Sequence, residues 1–136
     1  MSSAKKMRDI MSAAPVCMAP GESAFAAAQA MRRHATGTVL VLAGGRLRGL
    51  VTDRDIALLV LAEDGDPRTT MIGDICDVEV AAIGPDDDLD AARRLVLDRA
   101  VRRIPVLENG TPVGVVSVGD LALAADPAPC AWSVPS

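Results

Sequence analysis

Aromatic residues are almost missing from this chain: 136 residues include one Phe, one Trp and no Tyr. A single-strand nucleic-acid surface needs aromatic platforms for its bases, so that class is excluded. The net charge of −4, from 18 acidic against 14 basic residues, removes the basic footprint of a duplex binder as well. Nucleic acid is not an expected partner. Histidine is nearly absent too, and any nucleophile–histidine or general-base scheme must pass through His34. That residue falls near the end of an expected helix, where an imidazole meets a favourable dipole. There is no Gly-x-Ser-x-Gly elbow, no Gly-x-x-x-x-Gly-Lys-Ser/Thr loop and no metal-ligand cluster. The reading is of a non-enzyme, with no catalytic cofactor and no metal.

Cys17, Cys76 and Cys130 are odd in number and too widely spaced for a disulfide framework or a CxxC site, so buried or tail thiols, kept reduced, are expected. No apolar run approaches the roughly 18 residues of a membrane span. None of signal-peptide length follows Lys5, Lys6 and Arg8. A soluble cytoplasmic protein without membrane contact is expected.

Half the residues are nevertheless apolar, so a core of Val, Leu, Ile, Ala and Met is available. Its organisation is a duplication. Gly49-Leu50-Val51-Thr52-Asp53-Arg54-Asp55 returns 65 positions later as Gly114-Val115-Val116-Ser117-Val118-Gly119-Asp120. Without a gap at that offset, Asp9-Ile10 matches Asp74-Ile75, Pro20 matches Pro85, Val41-Leu42 matches Val106-Leu107, and Gly45 matches Gly110. In both copies an apolar run ends in a hydroxyl residue, followed three positions later by aspartate. Thr52 with Asp55, and Ser117 with Asp120, therefore match the capping box of a helix start. The same features suit a nucleotide: helix-start N–H groups attract phosphate, and a nearby carboxylate accepts from ribose hydroxyls. Both readings stay open on this pattern.

Along the chain, Lys5 to Met11 suggests a short lead-in helix and Val16 to Met18 a strand. Ser23 caps a helix from Ala24 to His34, with Ala24, Ala27, Ala28 and Met31 as its core stripe. Val39 to Leu42 and Leu47 to Val51 form a hairpin through Gly44-Gly45, as Asn109-Gly110 does in the second copy. A helix from Asp53 to Ala62 follows, with Ile56, Leu59 and Val60 on one face. Residues 63–71 form a polar linker. The second copy repeats the order, with a lead-in from Ile72 to Cys76, a strand from Val80 to Ile83 and a helix from Leu89 to Arg99. Asp86, Asp87 and Asp88 before that helix suit its dipole better than a cation. Residues 126–136 form a Pro- and Ala-rich tail with the single Trp, which either lies against a partner subunit or moves freely.

The repeat resembles the cystathionine-β-synthase (CBS) domain, through Gly49 to Asp55, Gly114 to Asp120, Arg103-Ile104-Pro105-Val106 and the Asp-Ile that opens each copy. The copies are placed at 6–62 and 72–125. The resemblance implies an α/β fold, α+β in stricter usage, of two β-α-β-β-α repeats about a pseudo-twofold axis. It also implies two clefts that bind an adenosine-containing ligand such as AMP, ADP, ATP or S-adenosylmethionine. One cleft would combine Thr52 and Asp55 with Arg102 and Arg103, the other Ser117 and Asp120 with Thr38 and Val39. In these clefts aspartate would take ribose, helix-start N–H groups and arginine would take phosphate, and Val16, Met18, Val80 and Ile83 would flank adenine. Gly37-Thr38 stands where the second copy has Arg102-Arg103, so the second cleft lacks a phosphate cation. The expected function is a regulatory sensor, a homodimer acting on an unknown protein target. A different class remains beside it, a non-catalytic interaction or stress-response protein with vestigial clefts.

Overall fold

The computed structural model describes residues 5–78 and 80–125; the expected tail, with Cys130 and Trp132, lies outside the described residues. Among the described residues the protein is mixed α/β with two three-stranded sheets, and the chain divides into two compact units. One unit runs from Pro15 to Val80. The other joins the chain up to Ala14 to the chain from Ala81 onward.

In the first unit, β-branched and leucine residues form strand β3 (Thr38–Ala43), which turns through Gly44 and Gly45 at φ +60° and +79° into β4 (Arg46–Thr52). Glycine takes both positive angles without strain. The hairpin is antiparallel from Thr38 opposite Thr52 to Ala43 opposite Arg46, and β2 (Cys17–Met18) adds to β3 in parallel. Helix α2 (Ala24–His34) starts at Ser23, whose Oγ accepts from the Ala26 amide at 3.0 Å. It buries Ala24, Ala27 and Met31 against Val39, Val41, Val51, Ile56, Val60 and Ile72. Ala28, expected on the buried stripe, is exposed, and Ala30 is buried in its place.

The expected single helix after β4 is instead a short α-helix, α3 (Asp53–Ile56), continued by a π-helical stretch at Ala57–Leu61. There the Ala62 amide donates to the Ala57 carbonyl, five residues back, at 2.9 Å. The wider turn changes the angle between successive side chains. Leu59, expected on the core face, is therefore exposed with Leu58 and Leu61, while Val60 stays buried.

The second unit repeats the plan. Helix α5 (Leu89–Arg99) is capped by Asp88, which accepts from the Ala91 amide at 2.9 Å. Strands β5 (Arg103–Glu108) and β6 (Thr111–Ser117) turn through Asn109 and Gly110 at φ +53° and +81°, and helix α6 (Val118–Ala125) follows. Met7, Ile83, Ala92, Ile104, Val106, Val116 and Leu121 form its core. The expected strand over Val80 to Ile83 is reduced to one parallel bridge between Ile83 and Val106. Asp86 accepts from Arg8 Nε at 2.9 Å and Asp87 from the Gly84 amide at 2.8 Å, so each of the three aspartates has a local partner.

Sequence copies and compact units do not coincide, because the lead-in segments are exchanged. Helix α1 (Met7–Ile10) buries Met7 in the second unit, and β1 (Ser12–Ala13) pairs with β6. Helix α4 (Ile72–Ile75) buries Ile72 in the first unit, and Asp77 bridges Leu50 of β4. The crossings rest on Gly49 and Gly114. A Cβ on Gly49 would lie 2.4 Å from the Asp77 carbonyl oxygen, and one on Gly114 would lie 2.5 Å from Met11 Sδ.

Candidate functional site

Both helix starts singled out by the repeat are reciprocal caps. The Thr52 amide donates to Asp55 Oδ2 at 2.8 Å, and the Asp55 amide donates to Thr52 Oγ1 at 3.1 Å. In the second unit the Ser117 amide donates to Asp120 Oδ2 at 2.9 Å, and the Asp120 amide to Ser117 Oγ at 3.0 Å. Each carboxylate is thereby held at a strand–helix junction through one oxygen, half-buried. The cap fixes its position, and the second oxygen retains acceptor capacity.

Strand register decides which other candidates are neighbours within a unit. Thr38 stands opposite Thr52, and Arg103 stands opposite Ser117. Side chains so paired are about 4.5–5.5 Å apart at Cβ. Thr38 is 5% exposed, and its Oγ1 has no hydrogen-bond partner. A buried hydroxyl left unpaired is uncommon and costly. Val39 is wholly buried in the first core, so its side chain faces neighbours there. Arg103 is half-buried, while Arg102 is exposed and accepts from the Val118 amide through its carbonyl at 2.9 Å. Of the residues expected to flank adenine, Val16 and Met18 pack half-buried on the first core, Val80 is half-buried, and Ile83 lies in the second core.

The two helix starts differ in a way the repeat pattern conceals. At α3 the Asp53 amide donates to the Gly37 carbonyl at 3.0 Å, the Arg54 amide to Asp53 Oδ1 at 2.8 Å, and the Asp55 amide to Thr52. All three first-turn amides have internal partners, as two of the three do at α6, where the Val118 amide donates to the Arg102 carbonyl and the Asp120 amide to Ser117 Oγ. Asp53 also brings its own negative charge to the α3 start. By sequence Asp53 is an ordinary first helix residue; the signal is that the equivalent position holds Val118. Asp53 further explains Gly37, where a Cβ would lie 3.0 Å from Asp53 Oδ2.

His34 is exposed in the last turn of α2. Cys17 is exposed rather than buried, and Cys76 is half-buried, its Sγ donating to the Gly73 carbonyl at 3.6 Å. Desolvation pushes both thiols above the ordinary cysteine value. Among the described residues no group of three or more His, Cys, Asp or Glu side chains is arranged to hold a metal, and no helix is long and apolar enough to cross a membrane.

A duplicated hairpin-and-helix module, with a Thr/Ser-x-x-Asp cap after each hairpin, is the architecture of a tandem CBS pair. A family model for the CBS domain matches residues 7–62 and 72–126, and the chain belongs to that family. It is 33% identical over 117 residues to the CBS domain-containing protein YhcV of Bacillus subtilis, across 86% of this chain and 83% of YhcV. Hypoxic response protein 1 of Mycobacterium tuberculosis is 34% identical over 116 residues, across 85% of this chain and 81% of that protein. A crystal structure of Hypoxic Response Protein I with two coordinated zinc ions superposes with a TM-score of 0.73 at 33% identity, across 87% of this chain and 97% of that one. The CBS domain pair of protein MJ0100, in complex with 5′-methylthioadenosine and S-adenosyl-L-methionine, shares the fold at a TM-score of 0.78 and 23% identity, across 88% of this chain and 94% of that one. CBS pairs are regulatory modules.

Proposed function

We propose that this chain is a non-catalytic sensor that binds an adenosine-containing ligand and acts on a separate protein. The observation that carries the reading is the pair of held carboxylates. Asp55 and Asp120 occupy equivalent positions in two copies, each positioned by its cap and each with an oxygen left to accept from ribose hydroxyls. Thr52 and Asp55 act with Arg102 and Arg103, and Ser117 and Asp120 act with Thr38 and Val39, the latter through its main chain. The orphaned Thr38 hydroxyl supports a role in ligand contact, because a bound polar group would satisfy it. The adenosyl ligands of MJ0100 agree in class. The zinc ions belong to Hypoxic Response Protein I and are not carried over.

Asp53 bears on the choice of ligand. Its carboxylate disfavours a long phosphate chain beside α3, so AMP, adenosine or S-adenosylmethionine is preferred there to ATP. Exposed Leu58, Leu59 and Leu61 support a homodimer formed through helix faces. Light scattering at tens of micromolar checks the dimer, and a monomer there refutes it.

A thermal-shift screen of adenine and guanine nucleotides and S-adenosylmethionine tests ligand binding. A ligand at 100 times its dissociation constant adds about 2.7 kcal/mol of stability. Adenosyl compounds are expected to raise the melting temperature and guanine nucleotides to leave it unchanged. If no compound shifts it, the exposed leucines favour the other reading, a protein-interaction module without a ligand.

A further inference from the structure

The two copies carry the same groove between their helices, but two charged positions of the first are apolar in the second. In the first unit the groove includes Met31, Arg32, Gly37, Asp53 and Ile56, so charged side chains line it. At the equivalent positions of the second unit Arg32 becomes Leu97 and Asp53 becomes Val118. That groove, about 270 Å³, is lined by Arg93, Val96, Leu97, Val118, Leu121 and Ala122. Leu97 is 81% exposed and Val118 41% exposed. The cavity falls just below the ~300–1,000 Å³ of small-molecule sites and suits one large apolar side chain.

We propose that this groove is a docking site for the chain's own C-terminal segment, with Trp132 as its anchor. Helix α6, which forms one wall, ends at Ala125, and Trp132 follows seven positions later. The return from Ala125 to Val118 is about 10 Å at 1.5 Å per helical residue. A proline-containing stretch extends about 3 Å per residue, so seven residues span about 20 Å. The segment reaches the groove with length to spare. Arg93 at the rim, 3.5 Å from exposed Asp90, presents a guanidinium to an indole face. The copy with the apolar groove is also the copy from which the tryptophan-bearing segment emerges.

The chain has one Trp and no Tyr, so selective excitation of Trp132 reports this contact alone. In the full chain the emission is expected to be blue-shifted relative to the urea-unfolded chain and protected several-fold from acrylamide. Dilution past the point where light scattering loses any dimer leaves it unchanged. Leu97→Arg with Val118→Asp installs the residues of the first copy and is expected to move the emission to the unfolded value, with far-UV circular dichroism retained. Should the pair fail to fold, Leu97→Arg alone changes a side chain already in solvent and serves the same test. Leu58→Arg, on the first unit, leaves emission unchanged. Solvent-like emission in the parent overturns the proposal. Protection lost on dilution together with the dimer assigns the segment to a second copy and overturns it too, as does protection that survives the Leu97 and Val118 changes.

Discussion

Adding one methyl group at Gly49 tests why the repeated motif begins with glycine. The new Cβ would lie 2.4 Å from the Asp77 carbonyl oxygen, 3.1 Å from its carbon and 3.0 Å from Cys76 Sγ, so backbone has to move. The movement breaks the bridge in which Leu50 N donates to Asp77 O at 3.2 Å and Asp77 N to Leu50 O at 2.9 Å. Two such hydrogen bonds contribute about 1–3 kcal/mol together. Restricting the unfolded chain returns about 0.4–1 kcal/mol. The expected net cost is ~1–2 kcal/mol, a fall of about 3–10 °C in melting temperature at this chain length. Gly114→Ala is the internal comparison. Its closest neighbours, Met11 Sδ at 2.5 Å and Cγ at 2.8 Å, belong to a flexible side chain, and the nearest backbone atom is Ser12 O at 2.9 Å. Its cost is expected to stay below about 1 kcal/mol. Urea denaturation of both variants decides. Gly49→Ala as stable as the parent, or Gly114→Ala more harmful than Gly49→Ala, refutes the exchange of lead-in segments as drawn.

Thr38→Val removes the orphaned hydroxyl and is expected to raise ligand-free stability by about 1 kcal/mol while weakening adenosyl binding; a lower melting temperature without ligand contradicts the assignment. Asp88→Ala removes the α5 cap and is expected to cost about 0.5–2 kcal/mol in urea denaturation, against no change if the Ala91 hydrogen bond is immaterial. Desolvation raises the Cys17 and Cys76 thiols, so at pH 8 each carries less thiolate than a free cysteine. In a Cys130→Ser variant their alkylation is expected to be slower than that of free cysteine, with the midpoint of the rate profile displaced to higher pH. A midpoint at or below the free value refutes this.

Where a local rule decides the structure, the sequence was legible. Ser23 and the three aspartates before Leu89 announced two helix starts, and Gly44-Gly45 and Asn109-Gly110 announced both hairpins. The 65-residue period exposed the duplication, since identical caps at a fixed offset have few other causes. The outcomes that depend on distant partners were hidden. Lead-in exchange is a tertiary choice, visible afterwards in Gly49 and Gly114 but not in the lead-in sequences themselves. The π-helical stretch breaks the period on which the Leu59 assignment rested. Val80 to Ile83 has strand composition, yet only Ile83 finds a bridging partner. At the site, the aspartates and hydroxyls were readable because capping chemistry is local. The bond from the Arg54 amide to Asp53 Oδ1 rests on an aspartate outside the repeated cap, at the position that holds Val118 in the second copy.

Calorimetric titration of the parent, Asp55→Ala, Arg103→Ala and Asp120→Ala with AMP, ATP and S-adenosylmethionine tests ligand sensing most directly. Hydrogen bonds to charged groups contribute about 1.5–3 kcal/mol each, or roughly ten- to a hundredfold in affinity. Asp55→Ala and Arg103→Ala are expected to weaken one and the same binding event by that factor, and Asp120→Ala to weaken a second, lower-affinity event. If Arg103→Ala instead weakens the event lost in Asp120→Ala, the cation belongs with Ser117, its neighbour across β5 and β6. Parent protein that binds none of these compounds, or Asp55→Ala and Asp120→Ala variants that bind as the parent does, would show that the two aspartates are helix caps alone and contradict the proposed sensor.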